Sequence, residues 1–170
     1  MQTAPRRHFT QLTAYPWIVI LLCATFLFYK YVLQVSPNIM SNELMRAFHL
    51  DGANLGYLAA SFFFAYFVTQ LFVGVLLDKY SLRWLSGIAM VVSGIGALLF
   101  SRAPGFWQAE VFRGLMGFGG AFATVCYLKA AAVWFSPRRF ALVSGLLATA
   151  AMVGAVFGEA PLAYLVDHTN

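Results

Sequence analysis

Residues Leu55 to Lys79 read LGYLAASFFFAYFVTQLFVGVLLDK, and no charged side chain interrupts them before Asp78. A helix rises about 1.5 Å per residue, so about 20 apolar residues cross the roughly 30 Å hydrocarbon core of a bilayer. The stretch from Leu55 to Leu77 meets that length. Four further runs do the same: Tyr15 to Val35, Trp84 to Phe100, Trp107 to Val133, and Phe140 to Val166. None alternates polar and apolar residues at period two, so the pattern predicts helices rather than a transmembrane β-barrel. The expected fold class is all-α, a polytopic membrane bundle of five helices.

Composition agrees with that reading. Of 170 residues, 61% are hydrophobic and only 10% charged, and the mean hydropathy is +0.75. A soluble domain carries about 25% charged residues because its surface faces water. An aromatic content of 17% is equally foreign to a solvated, disordered chain. Net charge is +5, but the basic residues are scattered between apolar runs and form no nucleic-acid patch. Cys23 and Cys126 lie inside two different runs without CxxC spacing, which suggests neither a disulfide framework nor a metal site. His49 and His168 are loop residues and form no metal-binding pair. Neither a metal nor a cofactor is expected.

The breaks between runs are short. Ser36-Pro37-Asn38 closes the first, and Asn42 to Leu50 is amphipathic enough to lie at the interface. Asp78 to Arg83, Ser101 to Gly105 and Ser136 to Arg139 join the rest, so no linker separates domains. Residues 1–14 read as a tail before the 15–166 bundle, and residues 167–170 as its far end. Arg6, Arg7, Lys79, Arg83, Arg138 and Arg139 fall on one side; Arg46 and Arg102 fall on the other. The positive-inside rule then puts the amino terminus in the cytoplasm and residues 167–170 outside the cell membrane.

The loop after the second span reads GVLLDKYSLRW, Gly74 to Trp84. Gly74, Leu76, Asp78, Lys79 and Arg83 resemble the G-x-L-x-D-[RK]-x-G-[RK]-[RK] loop of the major facilitator superfamily of secondary transporters. Ser81 stands for its second glycine, and Leu82 for one of its basic residues. The second span resembles that family's second helix at Gly56, Tyr66 and Gln70. Arg113, Gly117 and Gly119-Gly120 are similar to its fourth-helix R-x-x-x-G-x-[GA] pattern. VWFSPRRF, Val133 to Phe140, is similar to the following loop, without its usual acid. Gly154, Gly158 and Pro161 resemble the glycine-proline fifth helix of antiporters, but the adjoining Gly-Pro pair is missing.

The resemblance implies a fold of twelve helices in two halves, each built from inverted three-helix repeats. It also implies that these residues are most of an amino-terminal half, partnered by the remaining helices of a complete transporter. Gly74 is expected to let helices approach closely, and Asp78 to pair with basic residues at a cytoplasmic gate alongside Lys79 and Arg83.

Ionisable groups within spans are costly and face a cavity or a partner. Lys30 shares a helical face with Cys23, Phe26, Gln34 and Pro37. It either receives a carboxylate or phosphate, snorkels outward, or pairs with an acid such as Glu159. Arg113 shares a face with Gly117, Gly120, Thr124 and Tyr127, which is small and polar enough to admit solute; an ion pair with Glu110 is the other reading. In the family the first and fourth helices line the cavity, so Lys30, Gln34, Arg113 and Tyr127 are the candidate substrate residues. Lys129, near the cytoplasmic end, is expected to snorkel to lipid headgroups. Glu159 is the candidate for proton coupling, because a carboxyl in an apolar site takes up a proton more readily; solvation at the helix end is the alternative. Gly154-x-x-x-Gly158 reads as close helix packing.

The function expected is movement of a small polar solute, an organic anion or amino acid, by alternating access, with a proton or another ion as possible coupling partner and lipid as solvent. No H-E-x-x-H, G-x-S-G or paired His-Asp position lies in a span, so an intramembrane enzyme is not expected. The alternative is a membrane fragment or non-transporting membrane protein.

Overall fold

A computed structural model describes residues 15–169, with side chains as far as Glu159. The expected tail, residues 1–14, lies outside the described residues, as do Arg6, Arg7 and, at the expected outer end, Asn170. Six helices follow in order: α1 (Tyr15–Ile39), α2 (Ser41–Phe48), α3 (Gly52–Lys79), α4 (Leu82–Phe100), α5 (Phe106–Trp134) and α6 (Pro137–Thr169). Five of them, all but α2, are long and apolar enough to cross a membrane. The chain is therefore a multi-pass membrane protein of all-α class.

Local chemistry sets the helix ends. Asp51 Oδ1 accepts the backbone N–H of Asn54 at 2.8 Å, an N-cap that starts α3 at Gly52, before the apolar run itself. α6 opens at Pro137, where the missing N–H is one that no helix would use. α2 is the amphipathic segment; it turns Leu44 inward onto Leu58 and Ala109. Hydroxyls inside the spans bond back to their own helices, as Thr69 Oγ1 does to Ala65 O at 2.7 Å and Ser61 Oγ to Leu58 O at 2.8 Å. In a solvent without water this is how a lone hydroxyl is satisfied.

α5 is the centre of the bundle. In its apolar window 56% of residues are buried, against 17–28% in the other four spans. It packs on α3, α4 and α1, while α6 packs chiefly on α1. α1 takes α6 on one side, α5 takes α3 and α4 on the other, and α1 meets α5 between them. Lipid tails offer no hydrophobic drive to such contacts, so close backbone approach and dispersion must supply it. A Cβ added at Gly117 would overlap the Phe62 backbone of α3, and one at Gly119 would overlap Ala89 and Ser93 of α4. Gly154 and Gly158 meet Phe28 and Val32 of α1 in the same way. Ser93 Oγ adds an interhelical bond to Met116 O at 3.3 Å.

Gly74 stands apart from these packed glycines. A Cβ there would meet nothing within 4 Å, because this face of α3 is turned away from α5. Among the described residues, Gly74 brings no two helices together. The outer surface is apolar, with Phe64, Trp84 and Trp107 each more than two-thirds exposed. At the Tyr15 end, Tyr15 meets Trp134 and Trp17 meets Phe135 edge to face, at 5.2 and 5.0 Å between ring centres. Such aromatic residues anchor helix ends at a membrane interface.

Candidate functional site

Three helices meet around Lys30. The side chain is 5% exposed, and its stem lies against Gly120 of α5, where a Cβ would come within 3.1 Å of Cγ. Lys30 Nζ sits 3.9 Å from the Tyr31 ring centre and 4.8 Å from that of Tyr66 on α3. The Tyr66 ring stacks in turn on Phe62. Lys30 makes no ion pair among the described residues, and Glu159, next to the Gly158 that packs on Val32, is exposed. The pairing of Lys30 with Glu159 is thus not formed.

The energetics leave Lys30 short of compensation. Taking an ammonium out of water costs several kcal/mol even after relaxation. Two cation–π contacts return about 0.5–2 kcal/mol each. A further polar atom lies nearby in sequence: Gln70, one turn along α3 from Tyr66, has a buried Oε1 without a partner among the described residues.

Arg113 is 1% exposed; both Nη groups are engaged, while its buried Nε has no partner among the described residues. Nη1 donates to Leu33 O at 2.5 Å and Nη2 to Gln34 O at 2.9 Å, both on α1. The Phe62 ring lies 4.8 Å from its Cζ. No bond to Glu110 forms. Tyr127 is fully buried and donates its hydroxyl to Val143 O on α6 at 2.7 Å. Gln34 is half-buried and enters these bonds through its backbone oxygen. Of the four candidate cavity residues, Lys30 is the one whose charged group has no hydrogen-bond partner among the described residues.

The junction of α3 and α4 carries a second cluster, and it corrects one expectation. Lys129 does not reach for lipid headgroups. Its Nζ donates to Asp78 Oδ1 at 2.9 Å and also to the backbone oxygen of Leu77. That oxygen belongs to the last turn of α3, whose carbonyls lack partners and carry the negative end of the helix dipole. The ammonium therefore finds more at the end of α3 than at the lipid surface. Lys79 and Arg83 are exposed, and Arg83 Nη2 donates to Tyr15 Oη at 3.2 Å. The ion-pair partner of Asp78 is thus a residue of α5, not a neighbour in its own loop.

Cavities of the described residues include two beside α1. One of about 590 Å³ lies between α1 and α6, beside Trp17, Leu21, Phe28 and Leu146. The other, about 710 Å³, lies between α1 and the start of α4, beside Ile18, Leu22, Arg83 and Trp84. Both are lined mainly by apolar side chains, and neither is lined by Lys30 or Arg113. The charged centre is closed over by Tyr31 and Tyr66, both partly exposed.

The described residues thus form a bundle of membrane-length helices with a buried cation among them and an acid–base pair at one helix end. The family model described as Major Facilitator Superfamily matches residues 18–169, and the chain belongs to that superfamily. It is similar to the uncharacterized transporter YybO of Bacillus subtilis, 28% identical over 88% of this chain and 34% of the relative. A putative inorganic phosphate cotransporter of Drosophila melanogaster is 32% identical over 65% of the chain and 21% of its own length. The nitrate/nitrite transporter NrtP of Picosynechococcus is 28% identical over 62% and 20%. The chain thus spans about a third or less of the curated relatives it matches. The family is one of transporters, and the relatives named here bear transporter names.

Proposed function

We propose that the chain forms one half of a secondary transporter for a small anion, an organic acid, an amino acid or an inorganic oxyanion, working by alternating access. One observation carries this reading. Lys30, inside a membrane-length helix, is a buried cation whose charge is met by aromatic faces and by no carboxylate among the described residues. A solute carboxylate or oxyanion supplies what is missing, as a charge-assisted hydrogen bond. Gln34, one turn away on the same face, is placed to orient it. Two of the relatives bear names of anion carriers, which supports the same class. Glu159 remains the proposed proton-coupling residue, on the grounds that it is the one acid in the apolar window of α6.

In this reading Asp78 and Lys129 close the cytoplasmic side, with Gly74, Lys79 and Arg83 facing helices of the other half. Turnover then belongs to an assembly that includes this half. The chain by itself binds lipid and keeps its fold, and is expected to give no saturable uptake, since one wall of the site lies in the second half.

The test of solute class is a binding panel on the transporter containing these helices. Nitrate, phosphate and simple carboxylates are measured against neutral sugars and cationic amines by isothermal titration. Saturable binding confined to anions or zwitterions is expected. Binding of neutral or cationic solutes alone would overturn the reading. Orientation has its own check: cysteines introduced at Asn42 and Ser101 should react with an impermeant thiol reagent from outside, and one at Ser81 should not. The opposite pattern would invert the topology.

A further inference from the structure

The end of α1 that leads to α2 contains an arrangement that anion binding does not call for. Pro37 lies inside α1, and a proline within a helix has no N–H to offer the carbonyl four residues back. That carbonyl belongs to Leu33. It has two other donors: Ser36 Oγ at 3.0 Å and Arg113 Nη1 at 2.5 Å. Arg113 Nη2 continues to the next carbonyl along, Gln34, at 2.9 Å. A guanidinium is a rigid planar fork, so one side chain can span two successive carbonyls of a helical turn. An amide-poor turn in a membrane must be satisfied by neighbouring helices or side chains, and here α5 supplies the donor.

The rest of the Arg113 environment fits this role and no ionic one. It forms no ion pair among the described residues, Met116 Sδ lies 3.5 Å from Nη1, and the Phe62 ring covers the guanidinium. Gly117, one turn along α5, lets the Phe62 backbone come close enough for that cover. The arginine is held in place with both Nη groups on α1 backbone, and its buried Nε has no partner among the described residues.

We propose that Arg113 stands in for the amide hydrogen that Pro37 removes from α1. The last turns of α1 are then held by a side chain of α5 rather than by their own hydrogen-bond ladder, and Arg113 is a positioning residue rather than a substrate cation. A turn held in this way can hinge when the fork shifts between neighbouring carbonyls, without breaking helix elsewhere. The hinge begins one turn beyond Lys30, so its angle sets how Gln34 is presented beside the lysine. The proposal concerns α1 itself and holds whichever solute is carried.

Hydrogen exchange of the 170-residue chain in lipid nanodiscs, read by mass spectrometry over residues 33–40, tests it. Arg113→Gln should speed exchange in that segment by about tenfold, the loss expected for one hydrogen bond to a charged group. Adding Pro37→Ala restores an N–H to Leu33 O, and should bring the double variant back to within about threefold of the parent. Arg113→Lys, a single charged donor, should fall between. Exchange in α3 and α6 should stay unchanged throughout. Unaltered exchange in Arg113→Gln, or no recovery on adding Pro37→Ala, would overturn the proposal, as would acceleration spread evenly over all helices. If Arg113→Gln does not fold, Arg113→Lys with and without Pro37→Ala gives the same comparison. In a complete transporter, a loss of anion binding on Arg113→Gln that Pro37→Ala leaves unrepaired would also overturn it.

Discussion

Lys30→Gln in a transporter containing this half is expected to weaken binding of an anionic solute by about 1.5–3 kcal/mol, roughly ten- to a hundredfold, the worth of a hydrogen bond to a charged group. The variant keeps length and polarity but removes the charge. The two aromatic contacts of Lys30, with Tyr31 and Tyr66, then lose their cation and little else. Stability should therefore hold or rise, because a buried ammonium is no longer desolvated. Affinity and stability moving in opposite directions distinguishes a binding cation from a structural one. Lys30→Arg should keep part of the affinity, since the charge survives while a planar fork replaces a point donor. Isothermal titration and thermal unfolding on the three proteins measure both quantities. Unchanged affinity in Lys30→Gln would remove the lysine from the site.

Asp78→Asn is expected to lower turnover by an order of magnitude or more with little effect on insertion or stability. The Asp78 side chain is 81% exposed and Lys129 31%. A pair so close to solvent contributes at most about 1 kcal/mol to folding, so its removal should barely move the melting temperature. If the pair belongs to one end state of the gate, removing it changes the balance between states, and rates respond to that balance. Lys129→Gln should share the defect, because both residues act through one contact, and the double neutral variant should be no worse than either single change. Initial uptake rates in proteoliposomes, normalised to inserted protein, decide it. Wild-type rates in Asp78→Asn would reduce the GVLLDKYSLRW loop to a topological feature.

Much of this architecture is legible in the residues alone, for a physical reason. A bilayer demands about 20 apolar residues per helix and tolerates few charges between them, so spans such as Leu55–Leu77 announce themselves. The superfamily is legible because its loop glycine, acid and bases recur in a fixed order after the second span. Side-chain destinations are less legible. Lys129 reads as a snorkelling lysine because nothing in its own helix says that the open carbonyls of α3 end beside it. The signal was present: Lys129 stands just over a turn before the end of α5, and Asp78 at the end of antiparallel α3, so the two lie at similar depth. Arg113 shares a face with glycines and Tyr127, which looks like a cavity wall. Only packing reveals that those glycines admit Phe62 and the Lys30 stem, and that the guanidinium turns to α1. Pro37 could have pointed there, since the carbonyl it leaves open is fixed by sequence spacing. Gly74 shows the converse, a motif glycine whose neighbour is not among these helices.

The central claim is that a solute anion, and not a protein carboxylate, answers the charge of Lys30. Glu159 is the one acid of the chain that competes for that role within the α6 window, so the decisive measurement is solute uptake by Lys30→Gln, Glu159→Gln and the double variant. The account predicts that Lys30→Gln loses anion uptake and that the double variant stays equally defective. Recovery of uptake in the double variant, above either single change, would show that the two residues balance one another and would contradict the account.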